Sequence, residues 1–372
     1  MFSQDIKQLE EAVLDVLDTD PGRLAVAAKK LSLVFTSERD ALADQYFSDA
    51  DSLDAYIAAF LLPNAVKVMH CLAQIDELGL VQDKGKLNVL DLGTGPGTAI
   101  LASSLYFSKN HPDMRIRFAG IEQNKVALLK AHELFKKIAP RHHSFESATF
   151  LIKEGGLERI LKAERFDMIL VTNMLNEPAV SAYELCCELI SNRLDGRGSF
   201  IIIEPALRNN ARPLMELRGR LIAEGVACVC APCLHGQNCP MLGANERDWC
   251  HFYIDWNCPQ YLSELDRLSA MNHEYLKMSY LILKPKTRGS DSTQEADVWR
   301  VVSSPLDSKG KREVFLCGSS GELKRVRRTN KDSAGVNSDF DKVARGDIVH
   351  FGGADRIHKN DSFSIIKKWS SF

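Results

Sequence analysis

Two stretches carry residue types whose spacing can do chemistry. One is Cys233-Leu-His-Gly-Gln-Asn-Cys239-Pro240, followed by Asp248-Trp249-Cys250-His251-Phe252, with a further cysteine, Cys317, far downstream. Five residues separate the first two thiols and ten the next pair, which is not the Cys-x-x-Cys pairing of zinc ribbons. Widely spaced thiolates, one followed directly by proline, suit an iron–sulfur cube, whose irons occupy a larger volume than a single ion. Structural zinc on the same thiols is the alternative. His235 and His251 could ligate or donate hydrogen bonds to ligands. Cys228 and Cys230 lie two apart, hence on one face of a strand, and read as core; Cys258 reads as unrelated.

The other stretch is Asp91-Leu-Gly93-Thr-Gly95-Pro-Gly97-Thr98. An apolar strand precedes it and a helix follows it. Glycines there permit positive φ and let a ligand approach the backbone, while the helix start offers free N–H groups. Glu122 ends the next predicted strand, 29 residues after Gly93, where a βαβ unit places an acid to bind ribose hydroxyls. A nicotinamide site would favour Gly-x-Gly-x-x-Gly, whereas these glycines alternate singly. That spacing resembles motif I of the class I S-adenosylmethionine-dependent methyltransferases. The resemblance implies cofactor binding by Asp91, Gly93, Gly95, Gly97 and Glu122, with Asn173 added at the end of a later strand.

The elements that must position these residues alternate. Strands are expected over 87–92, 116–122, 148–152, 166–171, 199–205, 226–230 and 279–284, with helices between them, which is the pattern of a doubly wound α/β sheet. The proline of Pro213–Glu224 fits the first turn of a helix. Thr172-Asn173-Met174-Leu175-Asn176-Glu177-Pro178 stands at the carboxyl end of the fourth strand, facing the ligand crevice of an open sheet. It lacks the Asn-Pro-Pro-Tyr or Asp-Pro-Pro-Tyr clamp of amino-group methyltransferases and the Pro-Cys nucleophile of cytosine-C5 enzymes. Asn173 and Glu177 could touch a substrate or cap the loop. Cys186-Cys187 lies inside a helix and reads as core. No catalytic residue is legible, so the residues argue for cofactor binding better than for catalysis.

Residues 1–80 read as a helical region capping the sheet, with Ser3 as a helix N-cap, Asp20-Pro21-Gly22 as a stop, and Pro63 as a break in the helix that starts at Ser52. Residues 81–285 form the methyltransferase-like domain with the cysteine loop at 228–258, and 286–294 a polar linker. Short alternating strands from 298 to 367 suit a small C-terminal β-barrel of OB type. The chain of 372 residues is 45% hydrophobic and 26% charged with a net charge of −2, so it is not a polyanion binder as a whole. Residues 301–372, however, hold 14 Lys and Arg against 9 Asp and Glu, while the rest hold 33 against 40. Nucleic-acid contact is therefore expected at the C-terminal end, on Lys324, Arg325, Arg327 and Arg328 together with Lys309, Lys311 and Arg312. Few aromatics accompany them, so base stacking is weakly signalled.

No run of about 18 apolar residues is present, and the first residues lack a signal peptide's basic and apolar regions or a presequence's arginine-rich character. A cytoplasmic location is expected, with the ten cysteines as thiols or metal ligands rather than disulfides.

The metal loop makes the resemblance specific. Ala-Pro-Cys233-x-His-Gly-x-x-Cys239-Pro with Asp-Trp-Cys250-His-Phe resembles the methyltransferase-like protein 17 family of mitochondrial small-ribosomal-subunit factors and their bacterial relatives. So do Tyr56 with Leu61-Leu62-Pro63, the Asp91–Thr98 loop, Glu204-Pro205, Ser279-Tyr280, Trp299-Arg300, Cys317 with Gly318 and Gly321, and Ala344-Arg345-Gly346-Asp347. Leu234 stands where relatives often have proline. The resemblance implies a 4Fe–4S cluster on Cys233, Cys239, Cys250 and Cys317, and binding to small-subunit ribosomal RNA without membrane or DNA. The expectation is an S-adenosylmethionine-dependent RNA methyltransferase supporting ribosome assembly. A non-catalytic assembly scaffold with a structural iron–sulfur or zinc site is the alternative. On either, the cysteines are expected to clasp the basic barrel against the methyltransferase-like sheet.

Overall fold

The computed structural model describes residues 3–17, 20–36, 50–82, 84–152, 156–175, 181–286 and 296–369. The chain divides into two compact units, Met1–Ile203 with Asp255–Leu276, and Glu204–Ile254 with Lys277–Phe372. These cut across the boundaries read from the sequence. The division falls inside strands rather than at the polar linker, whose residues 287–294 lie outside the described ones. The cysteine loop therefore groups with the C-terminal strands and not with the glycine-rich turn.

The first unit opens with helices α1 (Ser3–Val16), α2 (Pro21–Thr36), α3 (Ala50–Tyr56) and α4 (Leu62–Glu77). Asp20-Pro21-Gly22 starts a helix instead of stopping one. The Asp20 carboxylate accepts from the N–H of Gly22 at 2.9 Å and of Arg23 at 3.2 Å, and Pro21 occupies the first turn, where no hydrogen bond is lost. Pro63 does not end its helix either: a π-helical turn, Ile57–Leu61, joins α3 to α4 and widens the coil just ahead of the proline. By length and composition alone Asp51–Glu77 could cross a membrane, yet 78% of its apolar window is buried inside the protein, as a core helix is. Ala55, Ala58 and Ala59 pack there with Leu24 and Ala28 of α2 and with Leu262 and Leu265 of the helix Gln260–Ser269.

The rest of this unit alternates: β1 (Lys86–Leu92), α5 (Thr98–Asn110), β2 (Arg115–Glu122), α6 (Lys125–Ile138), β3 (His143–Thr149), α7 (Leu157–Leu161), β4 (Phe166–Thr172), α8 (Ala182–Glu188) and β5 (Leu194–Pro205). The strands pair in parallel in the order β3-β2-β1-β4-β5. Val89, Leu90 and Leu92 of β1 are fully buried, as a central parallel strand covered on both faces requires. The order reverses between β1 and β4, and the ligand crevice of an open α/β sheet lies outside the carboxyl ends of strands at such a switch point. The third strand is His143–Thr149 rather than 148–152. It is an edge strand with a mostly polar, partly exposed sequence, so its apolar signal is weak.

The second unit contains α9 (Arg208–Ala223), β6 (Ala227–Ala231), a short helix Pro240–Ala244, β7 (Phe252–Asp255) and β8 (Tyr275–Pro285), with β6 and β7 both pairing with β8. Helix α9 begins five residues before Pro213, which stands inside it instead of in its first turn. Seven more strands follow: β9 (Val298–Val301), β10 (Leu306–Ser308), β11 (Lys311–Gly318), β12 (Leu323–Thr329), β13 (Ile348–His350), β14 (Arg356–Ile357) and β15 (Ser364–Lys367). Their order is β14-β12-β11-β9-β13-β15, with β10 beside β11. By pairing among the described residues this is an open path, not a closed ring. Its alternating apolar residues, including Trp299, Val314, Leu316, Val326, Phe351 and Phe363, make a separate core.

Candidate functional site

In the first unit, β1 delivers the glycine-rich turn to the switch point. Gly93, Gly95 and Gly97 all have positive φ, of 74°, 52° and 90°. A Cβ on Gly93 would lie 3.0 Å from the Met174 side chain, whereas one on Gly95 would meet nothing within 4 Å. Glu122, at the end of β2, holds the turn: its carboxylate accepts from the N–H of Gly95 at 2.9 Å and of Asn124 at 2.8 Å. Each oxygen keeps a second lone pair. Asn173 follows β4 with φ of 58°, and its N–H donates to the Ile203 carbonyl at 2.8 Å. Asn176 and Glu177 lie outside the described residues.

Asp91 is the anomaly of this turn. It is fully buried, and neither carboxylate oxygen has a hydrogen-bond partner, since the Thr94 hydroxyl donates to the Asp91 carbonyl. Burial, and then the neighbouring Glu122 charge, push its carboxyl up to about 8. A buried acceptor pair without a donor is the feature that a bound cation or ammonium group satisfies. The helical region also contributes here, which the sequence did not reveal. Tyr56 lies among Asn64, Thr98, Asp91 and Glu122, with burial raising its phenol to about 12. The Lys67 ammonium donates to the Asn64 side chain at 3.0 Å, and burial lowers it to about 8. The one available signal was Tyr56 and Asn64 flanking the Leu61-Leu62-Pro63 run.

In the second unit, β6 leads through a cis Ala231–Pro232 bond into the cysteine loop. Cys233, Cys239, Cys250 and Cys317 come together. Burial raises the thiols of Cys233, Cys250 and Cys317, the last to about 12, and the other cysteines of the group add to each rise. Cys228 and Cys230 are not among the groups that shift Cys233, Cys250 or Cys317, and they stay half-buried on β6. The Cys317 thiol is 3.5 Å from His235 Nε2. All four thiols sit in one compact unit, so the expected clasp between a sheet domain and a barrel domain is instead a centre within one body. Among the described residues no group of three or more His, Cys, Asp or Glu side chains that could hold a metal ion is found. Four cysteine thiols are nevertheless the donor set that an iron–sulfur cluster takes.

Three arginines surround these thiols. Arg218 of α9 is fully buried and donates to the carbonyls of Gln237, at 2.7 Å, and His235. Arg300 of β9 stands opposite Cys317 in the β9·β11 register and donates to the Gly346 carbonyl at 2.8 Å. Arg345 donates to the His251 carbonyl, beside Cys250, at 3.2 Å. Burial, and then Arg218 or Arg345 respectively, lower His235 and His251 to about 4, so both are neutral imidazoles at pH 7.

The expected phosphate-binding strand is only partly available. Arg328 is buried, donating to Asn337 and pairing with Asp341, so it belongs to the fold and not to an RNA surface. Its alternation with Val326 on the inner face of β12 explains this. Lys324 lies 4.4 Å above the Trp299 ring and is half-buried. Arg325 is exposed but pairs with Glu313 at 2.9 Å. Arg327 is exposed and its side chain has no partner among the described residues. Lys311 and Arg312 pair with Glu313 and Asp307.

Among solved structures, the CurJ carbon methyltransferase is 14% identical, covering 76% of this chain and 71% of its own at a TM-score of 0.41. A ribosomal protein L11 methylase from Lactobacillus delbrueckii subsp. bulgaricus is 13% identical, covering 60% and 80% at 0.33. A precorrin-6y C5,15-methyltransferase from Geobacter metallireducens is 14% identical, covering 58% and 87% at 0.35. At such scores no shared activity can be read from them. No curated protein sequence matches the chain. The parallel order of β1 to β5 and the glycine turn at its switch point are those of the class I S-adenosylmethionine-dependent methyltransferase fold, as the sequence leads one to expect. The family model described as mitochondrial small ribosomal subunit Rsm22 matches residues 55–349, spanning the turn, the cysteine loop and most of the C-terminal strands, and the chain belongs to that family.

Proposed function

We propose that this protein is an S-adenosylmethionine-dependent methyltransferase acting on ribosomal RNA of the small subunit during assembly, and that it carries a 4Fe–4S cluster. The carrying observation is Asp91: a buried carboxylate with no donor, beside Glu122 and three left-handed glycines at the switch point of the sheet. The family's description supports the ribosomal target. S-adenosylmethionine, when bound, supplies an electrophilic methyl group. The chain's own part is positioning. Glu122 keeps the Gly95 N–H turned inward and has lone pairs left for ribose hydroxyls, Asp91 offers its oxygens to an ammonium group, and the open space over Gly95 admits the ligand without a Cβ. Cys233, Cys239, Cys250 and Cys317 would hold the cluster, which supplies a covalent tie between the loop and β11 and a capacity to store an electron.

Titration calorimetry with S-adenosylmethionine tests the first half. Wild type is expected to bind and Gly95→Arg to lose binding, because the arginine fills the open space in a strained backbone conformation. Small subunits from a deletion strain should then accept labelled methyl groups from wild type only. The absence of an acceptor clamp after β4 favours a second reading, an RNA-binding assembly scaffold that does no chemistry. Full rescue of a deletion strain by Gly95→Arg would favour that scaffold.

A further inference from the structure

Among the described residues six arginines bury their Nε without a hydrogen-bond partner: Arg193, Arg218, Arg300, Arg328, Arg345 and Arg356. Three of them answer their charge with a carboxylate, Arg193 with Glu188, Arg328 with Asp341 and Arg356 with Asp332. The other three, Arg218, Arg300 and Arg345, have no carboxylate at ion-pair distance among the described residues. They are the three that face the thiols. Their other contacts are carbonyl oxygens, an imidazole and aromatic faces: Arg300 lies 6.0 Å from both the Phe252 and Trp369 rings, and Arg345 lies 5.3 Å from Tyr253 and 3.4 Å from His251 Nδ1. Asp248 acts on Arg345 only from beyond ion-pair distance.

Burying a cation without a counter-ion is strongly unfavourable, because the desolvation of the charge goes uncompensated. Three such cations converging on one centre therefore imply an anion at that centre. A cube on four thiolates is a dianion in its oxidised form and a trianion after one-electron reduction. We propose that Arg218, Arg300 and Arg345 form a cationic cage around the four cysteines that neutralises the bound cluster, slows its loss and sets its reduction potential. The inference rests on the cluster reading given above. Arg218 reaches the Cys233 side through the His235–Gln237 backbone, Arg300 the Cys317 side across the strand pair, and Arg345 the Cys250 side through His251. These are positioning residues and none is a ligand.

Full-length protein purified anaerobically tests the cage. Iron and acid-labile sulfide per chain are measured for wild type, Arg345→Gln, Arg345→Lys and Arg300→Gln. The half-life of the cluster under a ferrous chelator and the midpoint potential from a titration followed by paramagnetic resonance are measured with them. Arg345 is the first choice because it is only half-buried, and its lysine variant keeps the charge. Removing a cation disfavours the more negative reduced form. Arg345→Gln is therefore expected to move the oxidised-to-reduced ratio about tenfold toward oxidised at a fixed potential, a fall of about 59 mV for one electron. Its cluster should also be lost several-fold faster, with Arg345→Lys close to wild type. Unchanged half-life and potential in both glutamine variants would overturn the proposal, as would a lysine variant as impaired as the glutamine one. Wild type without iron and sulfide would instead remove the cluster reading itself, so the two failures are distinguishable.

Discussion

Asp91 shows how one residue can carry both a cost and a use. With its carboxyl raised to about 8, the folded protein holds a proton there that the unfolded chain has lost above its ordinary value near 3.8. The folded state binds more protons across that window, so this group's contribution to stability falls as pH rises from about 4 to about 8. Asp91→Asn removes the titration while keeping the shape. Without ligand, the variant should melt at the same temperature at pH 6 and pH 8 as far as this site is concerned, while wild type loses stability over that interval. Its affinity for S-adenosylmethionine should fall. Thermal melts at both pH values, with and without the cofactor, check both statements, and a wild type no less stable at pH 8 would refute the first. On β12, two neighbours separate fold from function. Arg328→Ala should destabilise by roughly 1–3 kcal/mol, since it removes the buried hydrogen bonds to Asn337 and the packing on Phe340. Arg327→Ala should change stability by no more than about 0.5 kcal/mol and weaken rRNA binding. Denaturant melts and filter binding separate the two.

At the scale of elements, the turn between β11 and β12 packs directly against the cysteine loop. Gly321 has φ of 85°, and a Cβ there would stand 2.7 Å from Gln237 Cβ and 3.3 Å from His235 Nδ1. Gln237 and His235 are also where Arg218 donates. Gly321→Ala should therefore cost roughly 1–3 kcal/mol through backbone strain and push the loop away from β11. The iron content of anaerobically purified protein should drop, while cofactor binding at Gly93–Gly97 should persist because that turn belongs to the other unit. Iron analysis beside calorimetry reads the split. The π-helical turn Ile57–Leu61 ends at the helix carrying Asn64 and Lys67, and Tyr56 immediately precedes it, so a local irregularity sits where polar side chains gather beside the glycine turn.

At the scale of the whole molecule, charge is distributed less usefully than composition implied. Residues 301–372 are cationic in sum, but Lys311, Arg312, Arg325, Arg328 and Arg356 are paired with acids. RNA binding driven by the few exposed cations that remain should show a shallow salt dependence, with log K falling by no more than about 3 per decade of salt, since each phosphate contact contributes about 0.7–0.9. A binding isotherm series from low to moderate salt measures it; a steep slope would mean that the ion pairs open on binding.

The sequence by itself determined the glycine turn, the acid at the end of β2, the close run of Cys233, Cys239 and Cys250 and most of the central strands. Each is signalled locally, by alternating glycines, thiol spacing or an apolar run, and local signals survive without knowledge of packing. The edge strand β3, the helix beginning at Pro21 and the place of Pro213 are not legible there, because a polar edge strand has no apolar period and a proline reads alike as a start or a stop. Only the tertiary structure decided which charges are usable. It removed Arg328 from the surface, left Asp91 without a donor, brought Tyr56 beside the glycine turn and set Arg218, Arg300 and Arg345 around the thiols without acids. Those outcomes depend on which distant residue fills the space next to each group, and burial and pairing at long range leave no mark on the residue types in order.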